Sequence, residues 1–210
     1  MLSLETLSLF FVTAALLGLS PGPDNLFVLT QSALYGRRAG WLITLGLCTG
    51  LLVHTAAVAF GVAALFQTSV LAFTLLKLVG AAYLLWLAWQ AFRAKPEAVN
   101  LQQENGGSDH RRLYRRGIIM NITNPKVSVF FLAFLPQFTD PSMGPISVQM
   151  LVLGAVFILS TIIVFGTIAM AAGGLGTRLK RSPGIQLWMN RIAGLVFVGL
   201  ALKLATAQRS

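Results

Sequence analysis

Ser20-Pro21-Gly22-Pro23-Asp24-Asn25 interrupts an apolar run that fills Leu7 to Leu19 and resumes at Leu26 to Leu29. Two prolines remove two backbone donors, and the glycine between them relaxes the chain, so no helix crosses this stretch unbroken. Asp24 follows at once, and it is the only acid that falls within an apolar segment. Lipid cannot satisfy freed backbone groups or a carboxylate at membrane depth. The break must therefore face protein or a water-lined cavity. It reads as half of a solute-binding site.

Composition supports the membrane reading. Of 210 residues, 56% are hydrophobic and only 10% are charged, against roughly a quarter charged in a soluble domain. A spanning helix needs about 20 apolar residues, and six stretches fit: 4–33, 41–66, 70–92, 117–138, 148–172 and 187–205. The first is interrupted at Pro21 to Pro23 and the fourth at Asn124-Pro125. The expected fold is an all-α membrane protein of six transmembrane helices. It forms a single transporter domain over 1–210, with half one 1–93, a cytoplasmic linker 94–116 and half two 117–210. Three spans per half would insert the halves upside-down relative to each other, so an inverted repeat is expected.

The net charge of +10 does not indicate nucleic acid. The basic residues lie between apolar spans, where membrane topology accounts for them. Arg37, Arg38, Arg93, Lys95, Arg111, Arg112, Arg115, Arg116, Arg178, Lys180, Arg181 and Arg191 cluster around loops one, three and five. The loops near Gln67 to Ser69 and Thr139 to Ser147 have none, and of the basic residues outside the spans only Arg209 falls on the other side. Positive-inside logic puts both termini outside. Trp41, Trp86, Trp89 and Trp188 fall at the cytoplasmic ends, as interfacial anchors should. Glu5 and the lack of an early Lys or Arg argue against a signal peptide, so the first run is expected to remain.

The second break is Asn121-Ile122-Thr123-Asn124-Pro125-Lys126. Lys126 follows Pro125 as Asp24 follows Pro23. Each sits near the N-terminus of the next half-helix, where an acid is favoured and a lysine is not. Lys126 therefore needs a partner or must snorkel to the headgroups; as the only intramembrane acid, Asp24 is expected to lie close to it. The candidate substrate-binding residues are Pro21, Gly22, Pro23, Asp24, Asn25, Asn121, Thr123, Asn124, Pro125 and Lys126. Half-helix N–H groups and Lys126 would take a carboxylate, while Asp24 would take an ammonium or a proton.

Span two carries Gly46, Gly50 and His54 at intervals of four. The glycines permit close helix approach. His54 is a candidate for proton coupling beside Asp24, although a bond to a neighbouring carbonyl is the favoured reading. Lys77 and Lys203 lie nearer the outer ends of their spans and are expected to snorkel. Gly173-Gly174-Leu175-Gly176 reads as a helix end, not a phosphate loop, because no strand or Gly-Lys-Ser/Thr context accompanies it. The Lys95 to His110 stretch reads as a plain polar linker with a solvated His110. Cys48 is the only cysteine, which excludes an internal disulfide. No cofactor, metal cluster or catalytic spacing is expected. Exposed glycine faces permit a homodimer without requiring one.

At these residues the chain resembles the LysE/RhtB family of bacterial amino-acid exporters. The resemblance rests on Ser20-Pro21-Gly22-Pro23, Thr49-Gly50 to His54, Gly80-Ala81-Ala82-Tyr83-Leu84, Thr123-Asn124-Pro125-Lys126, Pro136-Gln137-Phe138 and the closing Gly199 to Ala205. These occur in order over nearly the whole chain. The resemblance implies efflux of small amino acids or derivatives such as threonine, homoserine or leucine from the inner membrane, by proton antiport. A metal or inorganic-ion exporter of a related fold is the alternative. That role calls for more acids, thiols or histidines than Asp24, Cys48 and His54 supply.

Overall fold

The structure, a computed structural model, describes residues 2–20, 22–62, 70–95, 109–172 and 183–206. Pro21, the Gln67 to Ser69 loop, Gly173-Gly174-Leu175-Gly176, Arg178, Lys180, Arg181, Arg209 and most of the linker lie outside these residues. The described residues are all-α, with no strand among them.

Helix α1 spans Leu4–Leu19 and is capped by Ser3, whose hydroxyl accepts from the Thr6 N–H at 3.1 Å. Helix α2 spans Pro23–Tyr35 with its proline in the first turn, where the missing N–H costs nothing. The two are bent by 66° and together are long and apolar enough for one interrupted span. Gly36, at φ +82°, turns the chain into α3, Arg37–Ala57, which ends in a π-turn over Val58–Val62. Helix α4 is Val70–Arg93. Helix α5, His110–Ile122, meets α6, Pro125–Val129, at a 49° bend. The chain then continues through a π-turn at Phe130–Phe134 and a 3-10 turn at Leu135–Phe138. Helices α7, Ile146–Ala171, and α8, Pro183–Thr206, complete the fold. Four helices are long and apolar enough to cross a membrane alone, and the two bent pairs raise the number to six.

Three helix starts differ from the sequence reading by four residues or more, the last being α8, which begins at Pro183 rather than Leu187. Helix α3 starts at Arg37 rather than Trp41. Helix α5 starts at His110, well before Gly117. The Asp109 carboxylate accepts from the Arg111 N–H at 3.0 Å and starts α5 early. Leu113, Gly117 and Asn121 then line one buried face, while the arginines occupy the others. The segment 110–116 is therefore helical.

Glycines set the packing directions. Gly46 of α3 lies against Gly117 of α5, and a Cβ on Gly46 would lie 3.0 Å from the Gly117 Cα. One turn on, Gly50 lies against the side chain of Asn121. These two helices therefore run side by side in the same direction. Helix α7 runs opposite to α3, with Gly154 against Thr55 and Gly166 against Trp41. It runs with α1, because Phe10 meets Phe157 and Gly18 meets Val164. Helices α4 and α8 are antiparallel, with Gly194 on Phe92 and Gly80 near Leu204.

Two apolar clusters result. One gathers Phe10, Phe130, Phe131, Phe134, Phe138 and Phe157 with Leu17, Leu51 and Val127. The other gathers Val28, Ile43, Leu47, Leu113, Val164 and Phe165 near the arginine-bearing ends. Along both interrupted spans, the breaks fall between these clusters. Large apolar side chains such as Leu9, Leu52, Leu78 and Leu195 are left exposed, as suits a lipid-facing surface. Trp86, Trp89 and Trp188 are exposed as anchors are, and the Arg93 guanidinium lies 4.0 Å from the Trp89 ring centroid. Trp41 instead turns inward into the gap that Gly166 leaves. Lys203 places its ammonium 4.0 Å from the Phe138 ring centroid.

The loop after the fourth span is held by one buried side chain. Gln149 donates to the Asp140 carbonyl at 2.7 Å and the Gly144 carbonyl at 2.9 Å, and accepts from the Asp140 N–H at 2.9 Å. The exposed Asp140 carboxylate accepts from the Ser142 hydroxyl and N–H, which together hold its pKa below the ordinary value. Gln149→Ala is expected to destabilise the protein by about 1–2 kcal/mol, because three hydrogen bonds to part-buried main-chain groups are lost. Thermal unfolding in detergent measures this, and an unchanged midpoint would remove the clamp from the account.

Candidate functional site

The two breaks meet. Asn124 Nδ2 donates to Asp24 Oδ2 at 2.7 Å, across a hundred residues of chain. The same amide caps α6, because Asn124 Oδ1 accepts from the Lys126 N–H at 3.0 Å. One asparagine thus ties the carboxylate of the first break to the start of the second half-helix. Asp24 is 4% exposed and Lys126 9%, so both charges lie inside the protein and away from hydrocarbon.

The ammonium of Lys126 makes its hydrogen bonds elsewhere than on the carboxylate. It donates to the Ser20 carbonyl at 3.1 Å and to the Leu17 carbonyl at 3.3 Å. The reason lies in the break itself. In a continuous helix the Leu17 carbonyl would take the N–H four residues on, but that residue is Pro21. Lysine supplies the missing donor. It also sits at the C-terminal end of α1, where the helix partial charge is negative and favours a cation. The Gly18 carbonyl, freed by the same break, accepts from Asn25 Nδ2 at 2.6 Å. Asp24 and Lys126 still attract each other across the break, with Asn124 and the end of α1 around them.

Among the described residues, four buried oxygens around the breaks have no hydrogen-bond partner: Ser20 Oγ, Asp24 Oδ1, Asn25 Oδ1 and Asn121 Oδ1. Leaving a polar atom buried and unpaired costs about 1–3 kcal/mol each. Ser20, Asp24 and Asn25 flank the first break and Asn121 flanks the second. Gly22 opens this space: a Cβ there would lie 3.2 Å from Lys126 Nζ and 3.9 Å from Asn25 Oδ1.

The remaining candidates divide. Pro23 and Pro125 start their half-helices and are exposed. Thr123 is exposed, and its hydroxyl bonds back to the Ile119 carbonyl at 2.8 Å. It shapes the break but does not face the buried oxygens. Pro21 lies outside the described residues. His54 Nε2 lies 3.2 Å from the Asn121 carbonyl, and its ring is 5.5 Å from that of Phe131. It therefore braces the second break. Sequence reasoning passed over Ser20 and the carbonyls of Leu17, Gly18 and Ser20. The signal for the Leu17 carbonyl was present, since Pro21 removes its donor. Among the described residues, no group of three or more His, Cys, Asp or Glu could hold a metal ion.

The wall behind Asn121 is also tight. A Cβ at Gly50 would fall 2.7 Å from Asn121 Oδ1 and 3.0 Å from Cγ. Gly50→Ala is expected to displace that amide, at a cost of about 1–3 kcal/mol from overpacking, and to lower transport more than it lowers expression. Measuring both separates the effects. Wild-type transport in this variant would take Asn121 out of the site.

Comparison with known proteins gives a consistent result. The family model described as LysE type translocator matches residues 15–208. An uncharacterized membrane protein of Vibrio cholerae is 38% identical over 200 residues, covering 95% of this chain and 96% of that protein. The homoserine/homoserine lactone efflux protein of Salmonella typhimurium is 35% identical over 201 residues, covering 96% of each. The leucine efflux protein of an Enterobacter species is 29% identical over 197 residues, covering 94% of this chain and 93% of that protein. No solved structure matches the chain.

Proposed function

The chain belongs to the LysE type translocator family and is a transporter rather than an enzyme, and from that premise we propose that it exports small amino acids or their derivatives in exchange for protons. The observation that carries this reading is the junction of the two breaks: Asp24, tied to Asn124 at 2.7 Å, keeps its second oxygen buried and unpaired. Such an oxygen binds an ammonium group or a proton, and it cannot bind both. Mutual exclusion at one carboxylate is the minimal device for antiport. The efflux relatives bring amino acids and a lactone derivative as the substrate class.

The packing supports rocking of two halves. Span two of half one runs with span one of half two, and span two of half two runs with span one of half one. The two second spans cross as antiparallel neighbours, and so do the two third spans. This exchange pattern is what an inverted repeat around a central site needs. The phenylalanine cluster beyond the site would bar the outer path while the substrate loads from the arginine-rich side. With loops one, three and five cytoplasmic, loading takes place from within, and both termini lie outside the bacterial inner membrane.

Purified protein in proteoliposomes tests the reading. A panel including homoserine, threonine and leucine is loaded inside, and efflux is followed with and without a pH gradient. Export of at least one of them, faster with inward proton flow, is expected. Efflux indifferent to the proton gradient would remove the antiport, and no efflux of any amino acid would remove the substrate class.

A further inference from the structure

The site offers acceptors to its substrate and holds its one buried cation back. Ser20 Oγ, Asp24 Oδ1, Asn25 Oδ1 and Asn121 Oδ1 are all oxygens without partners. Among the buried described residues, Lys126 is the only lysine or arginine. Two of its three donors are committed to the Leu17 and Ser20 carbonyls. Its charge faces the negative end of α1 on one side and Asp24 on the other. The first turn of α2 offers N–H groups, but Asp24 sits in that turn and opposes their partial positive charge. An ammonium group matches this set: three N–H donors and a full charge meet one carboxylate oxygen and neutral acceptors. A carboxylate finds no uncommitted buried cation.

We infer that this site recognises its substrate by the ammonium end, so that amino compounds whose carboxyl is amidated are carried as well as the free amino acids. The inference rests on the exporter reading above and narrows it. It reassigns Lys126 from carboxylate ligand to positioning residue: the lysine closes the end of α1 and thereby holds Ser20 and Asp24 where the ammonium docks. It also makes the amino group indispensable. A hydroxy acid with the same side chain retains its carboxylate but loses the charged donors that the buried oxygens await.

The test is competition against counterflow of whichever amino acid the wild-type protein moves in proteoliposomes, with protein-free vesicles subtracting passive leak. Three competitors share that amino acid's side chain: the free acid, its amide, and the deaminated hydroxy acid. A charge-assisted bond to the carboxylate, had one existed, would be worth a factor of roughly ten to a hundred in affinity. The amide is instead expected to compete within about threefold of the free acid, and the hydroxy acid to fail even at about a hundredfold excess. An amide that fails to compete, or a hydroxy acid that competes, overturns the inference and leaves the exporter reading standing. A wild-type protein that moves no amino acid in counterflow overturns that reading, and this inference with it.

Discussion

Asp24→Asn is expected to abolish export while leaving the protein folded. Asparagine has nearly the shape of aspartate, and its carbonyl oxygen can still accept the 2.7 Å bond from Asn124 Nδ2. Lys126 keeps its two bonds to the Leu17 and Ser20 carbonyls, so the break stays closed. Removing a buried charge makes membrane insertion easier, not harder. The variant does lose the anion that meets the ammonium, and with it the group that exchanges a proton for substrate. Hydrogen bonds to a charged group are worth about 1.5–3 kcal/mol each, and coupling is lost as well, so efflux should fall by about two orders of magnitude or more. Efflux per reconstituted protein measures the effect, and a thermal midpoint close to wild type shows that the fold survived. Wild-type efflux from Asp24→Asn would remove this carboxylate from the mechanism. Asp24→Glu should retain partial activity, since the charge survives but lies one methylene off its place.

The second large effect is structural and lies at the α3–α5 contact. A side chain at Gly46 would run into the Tyr114 carbonyl oxygen and would lie 3.1 Å from the Ile118 nitrogen, both main-chain atoms. Gly117 faces the same difficulty, with the Ile43 carbonyl oxygen 2.5 Å from its would-be Cβ. Backbone cannot swing aside as a lysine tip can, so the helices themselves would have to separate. Gly46→Leu is therefore expected to cost about 3 kcal/mol or more, at the upper end of overpacking penalties. The loss reaches the site because α5 carries Asn121 and leads into Asn124. Gly61 gives the control: nothing lies within 4 Å of its would-be Cβ, and Gly61→Leu should be tolerated. Size-exclusion profile and thermal midpoint compare the two. If Gly46→Leu purifies and melts like wild type, the close crossing of α3 and α5 is not present in the folded protein.

How much of this was written in the chain follows from the range of each interaction. The apolar spans, the interruptions at Pro21 to Pro23 and at Asn124-Pro125, and the basic clusters are local properties, because length, missing N–H groups and charge act where they stand. The family resemblance rested on the same local motifs. That Asp24 and Lys126 are both buried where the two breaks meet also followed locally, since each is out of place in hydrocarbon and needs shelter. Which atoms they bond did not follow. Lys126 binds carbonyls at the end of α1 rather than the carboxylate, because main-chain oxygens are invisible in a side-chain pattern and become ligands only where a helix stops. Asn124 reaches Asp24, while Thr123, its neighbour, turns outward to bond its own helix. Only the direction of the 49° bend decides between them. Trp41 points inward for the same kind of reason, since the gap it fills belongs to Gly166 on another helix. Proline chemistry and apolar length sufficed to place the two breaks along the chain. Bringing them face to face required the packing of α3, α5 and α7, which is set by contacts between residues far apart in the chain.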